Sequence, residues 1–166
     1  LVNDPIINGV LLDYHDITQR KKADKAIKES EEKYRMLYDS NLMPITIFDT
    51  ETLKFLSVNN AFVQKYGYTR EEFLNMTILE IRPESEIGKL KKSVKNIQKS
   101  LTNAGVFLHK KKNGEIIQVE VIRNGIIFEG RNAMLVFVND LTDKIKAEQN
   151  LLKIYNKLLL AKESSD

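Results

Sequence analysis

The hydrophobic pattern changes period along the chain, and each change predicts a different kind of element. Over residues 19–40 apolar and small positions recur at helical spacing. Ala23, Ala26, Ile27, Ser30, Tyr34, Leu37 and Tyr38 share one stripe, and Lys, Glu and Arg fill the rest. That stripe is narrow and suits a two-helix seam better than a deep core. Residues 44–49 and 55–59 read as short strands around a turn at Thr50, Glu51 and Thr52. Residues 59–67 read as a short helix capped by Asn59 and stopped by Gly67. In Thr69-Arg70-Glu71-Glu72 the Thr can reach forward and Glu72 back, a capping box ahead of Phe73 and Leu74. Pro83-Glu84 starts a longer helix with Ile87, Leu90, Val94, Ile97 and Leu101 on one face.

The last third is patterned for strands. Residues 106–111 and 115–123 flank Asn113-Gly114, a hairpin signal because both residue types tolerate φ > 0. Ile117, Val119 and Val121 alternate with Gln118 and Glu120, so one face of that strand is wet. Asn124-Gly125 reads as a bulge, Glu129-Gly130-Arg131-Asn132 as the next turn, and a final strand follows to Val138. Five strands in two groups, with helices inserted after the second, predict an α+β domain whose antiparallel sheet is covered on one side. Beyond it Ile145, Leu152, Tyr155 and Leu159 recur at helical steps, widened by Leu151, Leu158 and Leu160. Such a helix is marginal alone in water and calls for a partner.

A repeat sets the expected domain boundaries. Asp16-Ile17-Thr18-Gln19-Arg20-Lys21-Lys22-Ala23-Asp24 reappears as Asp140-Leu141-Thr142-Asp143-Lys144-Ile145-Lys146-Ala147-Glu148, and each copy follows a β-type run, residues 10–15 and 133–138. In each copy short oxygen side chains stand where a helix begins and its first N–H groups need acceptors. Residues 1–18 are therefore expected to be the C-terminal strand and Asp-Ile-Thr end of a preceding, truncated copy. Residues 19–40 would be a linker helix, 41–142 a complete domain and 143–162 an exit helix. The orphan strand at 6–15 would be disordered or would pair with an exposed sheet edge. The chain starts at Leu1 rather than Met and reads as a piece of a longer protein.

Composition narrows the chemistry. With 166 residues, 42% apolar and 30% charged, the chain suits one soluble domain with extensions. Absence of cysteine removes disulfide frameworks, thiolate metal sites and cysteine nucleophiles. His15 and His109 are the two histidines, too few for a histidine-built metal centre. A net charge of +3 is mild for a nucleic-acid binder. Lys110, Lys111 and Lys112, with Lys89, Lys91, Lys92, Lys95 and Lys99, lack interleaved aromatics and read as a solvated face, so no nucleic-acid partner is expected. No apolar run approaches a membrane span, which places the chain in the cytoplasm, whether or not a parent protein is anchored elsewhere. Nucleophile elbows, phosphate loops and His-Glu-x-x-His are absent too, so the chain itself is expected to be non-catalytic.

Several segments, taken in order, resemble the PAS sensor family. They are Tyr34-x-x-Leu37-Tyr38, Ile47-Phe48-Asp49, Val58-Asn59-Asn60-Ala61-Phe62 and Tyr66-Gly67-Tyr68-Thr69-Arg70-Glu71-Glu72. Ile78-x-x-Ile81-x-Pro83, His109-Lys110-Lys111-Lys112-Asn113-Gly114, Val119-Glu120-Val121 and Asp140-Leu141-Thr142 complete the set. The resemblance implies a five-stranded sheet in order 2-1-5-4-3, helices cupping one face, and in many members a small-molecule pocket between them. It also implies a neighbouring effector, commonly a histidine kinase of a two-component system. In such a fold a ligand would lie among Ile47, Val58, Ile87, Leu90, Val94, Ile97, Val119, Val121 and Val136, unless these residues simply fill the core. Cysteine-linked flavin lacks its cysteine. Haem, usually held by a histidine of the helix before the hairpin, finds none in residues 84–101. The cofactor is left unknown.

Two further expectations concern single residues. His109 reads as a sheet histidine that packs and hydrogen-bonds rather than a ligand to metal. Asp140 and Thr142, with Lys144 four residues beyond Asp140 for a local ion pair, would tie the last strand to the first turn of the exit helix. The expected function is a sensory module relaying ligand or partner binding to an effector through coiled-coil helices of a homodimer. The alternative is a dimerisation scaffold with a filled core.

Overall fold

Asn59 shows how local chemistry lays out the chain. The computed structural model describes the backbone of residues 5–95 and 100–163 and the side chains of residues 17–94 and 100–162. Asn59 Oδ1 accepts from the Phe62 N–H at 2.9 Å, capping a helix, and from the Ile45 N–H at 2.9 Å, tying that helix to a strand. Its Nδ2 donates to the Met43 carbonyl at 2.9 Å. One wholly buried amide thus joins the first two strands to the helix that follows them.

The elements in chain order are α1 (Pro5–Asp39), β1 (Ile45–Asp49), β2 (Phe55–Val58), α2 (Asn60–Tyr66) and α3 (Arg70–Asn75). Then come α4 (Glu84–Lys95), β3 (Thr102–Lys110), β4 (Ile116–Phe128), β5 (Arg131–Asp140) and α5 (Thr142–Glu163). The chain divides into a unit of residues 1–40 and a unit of residues 41–166. In the second unit an antiparallel sheet of five strands runs in the order β2-β1-β5-β4-β3, the predicted topology. Helices α2, α3 and α4 supply Phe62, Phe73, Leu90 and Val94 to a core that the sheet completes with Phe48, Phe107, Val119, Val121, Met134 and Val136.

The predicted caps are present. Thr69 Oγ1 accepts from the Glu72 N–H at 3.1 Å and Glu72 Oε2 accepts from the Thr69 N–H at 2.8 Å, a complete capping box. Gly67 ends α2 at φ 81, where a side chain would be strained. Ile117, Val119 and Val121 are buried as the alternation predicts.

Three local expectations are corrected. Residues 10–15 are helical, within a continuous α1 that also contains Asp16 and Thr18, so the expected orphan strand at 6–15 and its Asp-Ile-Thr corner are not seen. A strand needs a neighbour for its hydrogen bonds, whereas a helix satisfies them within itself. The hairpin expected at Asn113-Gly114 is present, joining β3 to β4. The loop spans residues 111–115, with Gly114 at φ 86 and Asn113 Oδ1 accepting from the Glu115 N–H at 3.0 Å. No bulge occurs at Asn124-Gly125, because β4 stays in step with β5 from Val119 to Phe128. The irregularity falls between Asn103 and Gly105, where Gly105 takes φ 99. Finally, Leu101 is 65% exposed beyond α4, and Ile97 lies outside the described residues. The turn at residues 129–130, by contrast, has both residues left-handed (φ 49 and 75), the geometry that matches strand twist.

Candidate functional site

Beneath α4 the core changes character. On the side of α2 and α3 it is rich in aromatic rings: Phe55, Phe62 and Phe73 meet edge to face at 5.1 to 5.8 Å. Under α4 polar groups enter. The Tyr66 hydroxyl bonds to His109 Nδ1, both side chains being buried. Arg82 is only 8% exposed and packs over the Phe107 ring at 5.0 Å. Burial pulls the Arg82 guanidinium down to about 10, partly offset by Tyr66 and Glu86. It drives His109 well below the usual histidine value, with Arg82 adding to the effect, and raises Tyr66. All three therefore sit at neutral pH as phenol, neutral imidazole and guanidinium.

Arg82, His109 and Phe107 border a partly open cavity of about 30 Å3. A water needs roughly 10–15 Å3 on this scale and drug-sized pockets run to about 300–1,000 Å3, so the cavity takes a very small occupant as it stands. Its α4 wall is hinged to the sheet by polar contacts. Arg123 Nη1 donates to the Ser93 carbonyl and hydroxyl at 2.8 and 2.6 Å, and Lys89 Nζ donates to the Val106 carbonyl at 2.7 Å. A larger hollow, about 670 Å3, opens to solvent beside Leu53, Lys91 and Ile127. None of the buried side-chain atoms that lack a hydrogen-bond partner belongs to a residue lining it, so the chemistry lies at the smaller cavity.

The second constellation is the root of α5. Asp140 Oδ1 accepts from the Thr142 N–H at 2.9 Å, and Asp140 Oδ2 takes Lys65 Nζ of α2 at 3.0 Å. Thr142 Oγ1 accepts from the Gln118 N–H of β4 at 3.2 Å, and the Leu141 N–H donates to the Gln118 carbonyl at 2.8 Å. Burial raises the Asp140 carboxyl, but the Thr142 and Lys65 bonds outweigh it and hold it below the usual carboxylate range. The expected ion pair with Lys144 is replaced by the one with Lys65. Asp140 ends a strand and precedes α5, so the i, i+4 spacing of a helix does not apply, and Lys144 stays exposed.

The family model described as PAS domain matches residues 42–143. The chain belongs to the PAS domain family. It is 28% identical over 130 residues to the methyl sulfide methyltransferase-associated sensor of Methanosarcina acetivorans, covering 76% of this chain and 13% of that protein. Over 152 residues it is 22% identical to sensor histidine kinase TmoS of Ectopseudomonas mendocina, covering 87% of this chain and 15% of that one. The chain thus spans less than a fifth of the length of these relatives. The crystal structure of the PAS domain of an HTR-like protein from Haloarcula marismortui superposes with a TM-score of 0.65 at 20% identity, covering 72% of this chain and 98% of that one. That likeness shows the fold.

Within this PAS domain the nominated pocket residues divide. Leu90, Val94, Val121 and Val136 line the cavity. Val58 and Val119 are fully buried in the same core without reaching it. Ile87 is half-buried and does not line it. Ile47 is buried but belongs to the sheet's other face, since Thr46 and Phe48 on either side line the cavity and strand residues alternate. Sequence reasoning missed Arg82 and Tyr66 and placed His109 correctly as a packed, hydrogen-bonded sheet residue. A charged residue inside Ile81-Arg82-Pro83 was the available signal. Three lysines of the cluster are paired: Lys112 with Glu72 at 2.7 Å, Lys111 with Glu115 at 2.9 Å and Lys89 with Glu86 at 3.7 Å.

Proposed function

We propose that this PAS domain is a sensory relay in a longer signalling protein, passing a change in its core through α5 to an effector, a histidine kinase of two-component type. The observation that carries the reading is the root of α5. Residues 140–142 are bonded at once to α2, to β4 and to the helix that leaves the domain, so a shift of the sheet displaces that helix. Similarity to a sensor and to a sensor histidine kinase supports the choice of effector. A ligand or partner drives such a relay only through unequal affinity for its two states.

Beyond its root, α5 exposes Leu152, Tyr155 and Leu159 at 42 to 60%, with Leu151, Leu158 and Leu160 beside them. An isolated helix of this kind gains stability by burying the stripe against a second copy, which supports a homodimer through residues 143–162 and 19–40. We assign the module to the cytoplasm and give this chain no catalysis of its own; among the described residues no helix is long and apolar enough to cross a membrane.

Asp140→Ala tests the relay in the full-length protein. The lost cap costs about 1 kcal/mol, so the fold survives, while autophosphorylation stops following its stimulus. Unchanged output and unchanged response would overturn the relay. The small cavity favours a second reading, a dimerisation scaffold with a filled core. Native mass spectrometry separates the two, since a stoichiometric small molecule supports sensing and a bare dimer supports the scaffold.

A further inference from the structure

The polar corner of the core is built like a receptor for a small anion. Among its buried atoms, Nε and Nη1 of Arg82 and Nε2 of His109 have no hydrogen-bond partner in the protein. The histidine tautomer follows from Tyr66, whose hydroxyl bonds to His109 Nδ1. If that hydroxyl accepted, its own proton would be buried without an acceptor. It therefore donates, and neutral His109 carries its proton on Nε2. Every one of the unpartnered atoms is then an N–H donor, and both side chains line the same cavity. Buried donors without acceptors are uncommon in native cores and mark a place where something else supplies the oxygen.

Charge points the same way. Arg82 carries a buried guanidinium, and a buried charge without a counter-charge is strongly unfavourable. Glu86 lies one turn along and offsets part of it, but its Oε2 accepts from the Leu108 N–H at 3.3 Å and faces Lys89 at 3.7 Å. Size then selects among anions. About 30 Å3 is space for roughly two waters, which matches the two oxygens of a carboxylate. Phosphate or sulfate, with four oxygens, exceeds that space.

We propose that this cavity binds a small carboxylate anion, one oxygen on a free N–H of Arg82 and the other on the His109 Nε2–H. Arg82 supplies charge and His109 direction, while Leu90 and Val94 close the apolar side. A carboxylic acid longer than acetate enters only as α4 moves outward, which strains the bonds from Arg123 to Ser93 and from Lys89 to Val106. Binding is thereby coupled to the sheet. This ligand class rests on the sensory reading above, and the two can fail separately.

The experiment is a titration of the 166-residue chain with sodium acetate at constant ionic strength, following the His109 side-chain 15N resonances and the thermal midpoint. Acetate gives a saturable shift of Nε2 and raises the midpoint, and Arg82→Gln weakens binding at least tenfold. Acetamide, isosteric but uncharged, and chloride give neither effect. No saturable change with acetate or formate overturns the proposal, as does an equal response to acetamide or chloride. Should Arg82→Gln not fold, selectivity for acetate over acetamide in the unaltered chain decides the matter alone. Failure here leaves the Asp140 test standing, because that test reads output rather than occupancy. Unchanged output in Asp140→Ala likewise leaves acetate binding intact.

Discussion

The two halves of the core solve the same packing problem differently. Under α2 and α3, Phe55, Phe62 and Phe73 interlock with no polar atom among them, and Phe62 and Phe73 are completely buried. Under α4, His109 and Arg82 are nearly as buried yet keep donors unpartnered beside a cavity. In the first half, close-packed rings admit few alternative arrangements, although Phe55 and Phe62 also form part of the cavity wall. The second holds unspent hydrogen-bonding capacity and a wall attached by a few polar contacts.

The largest test of this division is Phe73→Ala. It leaves a cavity among rings that cannot collapse into it, and should cost about 3–5 kcal/mol in urea unfolding. A cost below 1 kcal/mol would show the aromatic half to be as pliable as the other. Tyr66→Phe should cost less, about 1–3 kcal/mol, by leaving the His109 Nδ1 acceptor buried and unmet. If it cost nothing, the hydrogen bond would not be holding the polar half in place.

A pH series comes next. His109 has a folded-state pKa depressed by burial and by Arg82, so its contribution is complete above the unfolded value near 6.5. As pH falls, the unfolded chain takes up a proton that the folded chain refuses, and stability drops by about 1 kcal/mol between pH 6.5 and 5.5. Urea midpoints over that range should show the slope, and His109→Asn should flatten it. The smallest effect belongs to the exposed cap of α3: Thr69→Ala should cost roughly 0.5–1 kcal/mol by the same unfolding measurement, with acetate binding unchanged. An altered acetate response there would mean that the two halves are coupled after all.

What could be read in advance was local. Asn59, Gly67 and the Thr69 and Glu72 pair announce helix ends because capping involves residues a few positions apart. Ile117, Val119 and Val121 declare their buried face because strand side chains alternate. Residues 10–15 misled for the complementary reason: their β-type composition describes a strand only where a neighbouring strand exists, and here they are helical.

The sequence by itself determined the succession of elements from β1 onward, the buried face of β4 and the special turn at Asp140-Leu141-Thr142, all consequences of side chains acting within a few residues. Tertiary structure alone decided that Asp140 pairs with Lys65 rather than Lys144, that Ile47 faces away from the cavity, and that Tyr66, Arg82 and His109 converge. Those facts depend on which segments the sheet order brings together across gaps such as 43 and 75 residues. Periodicity carries no information over such distances; the closing of the sheet supplies it.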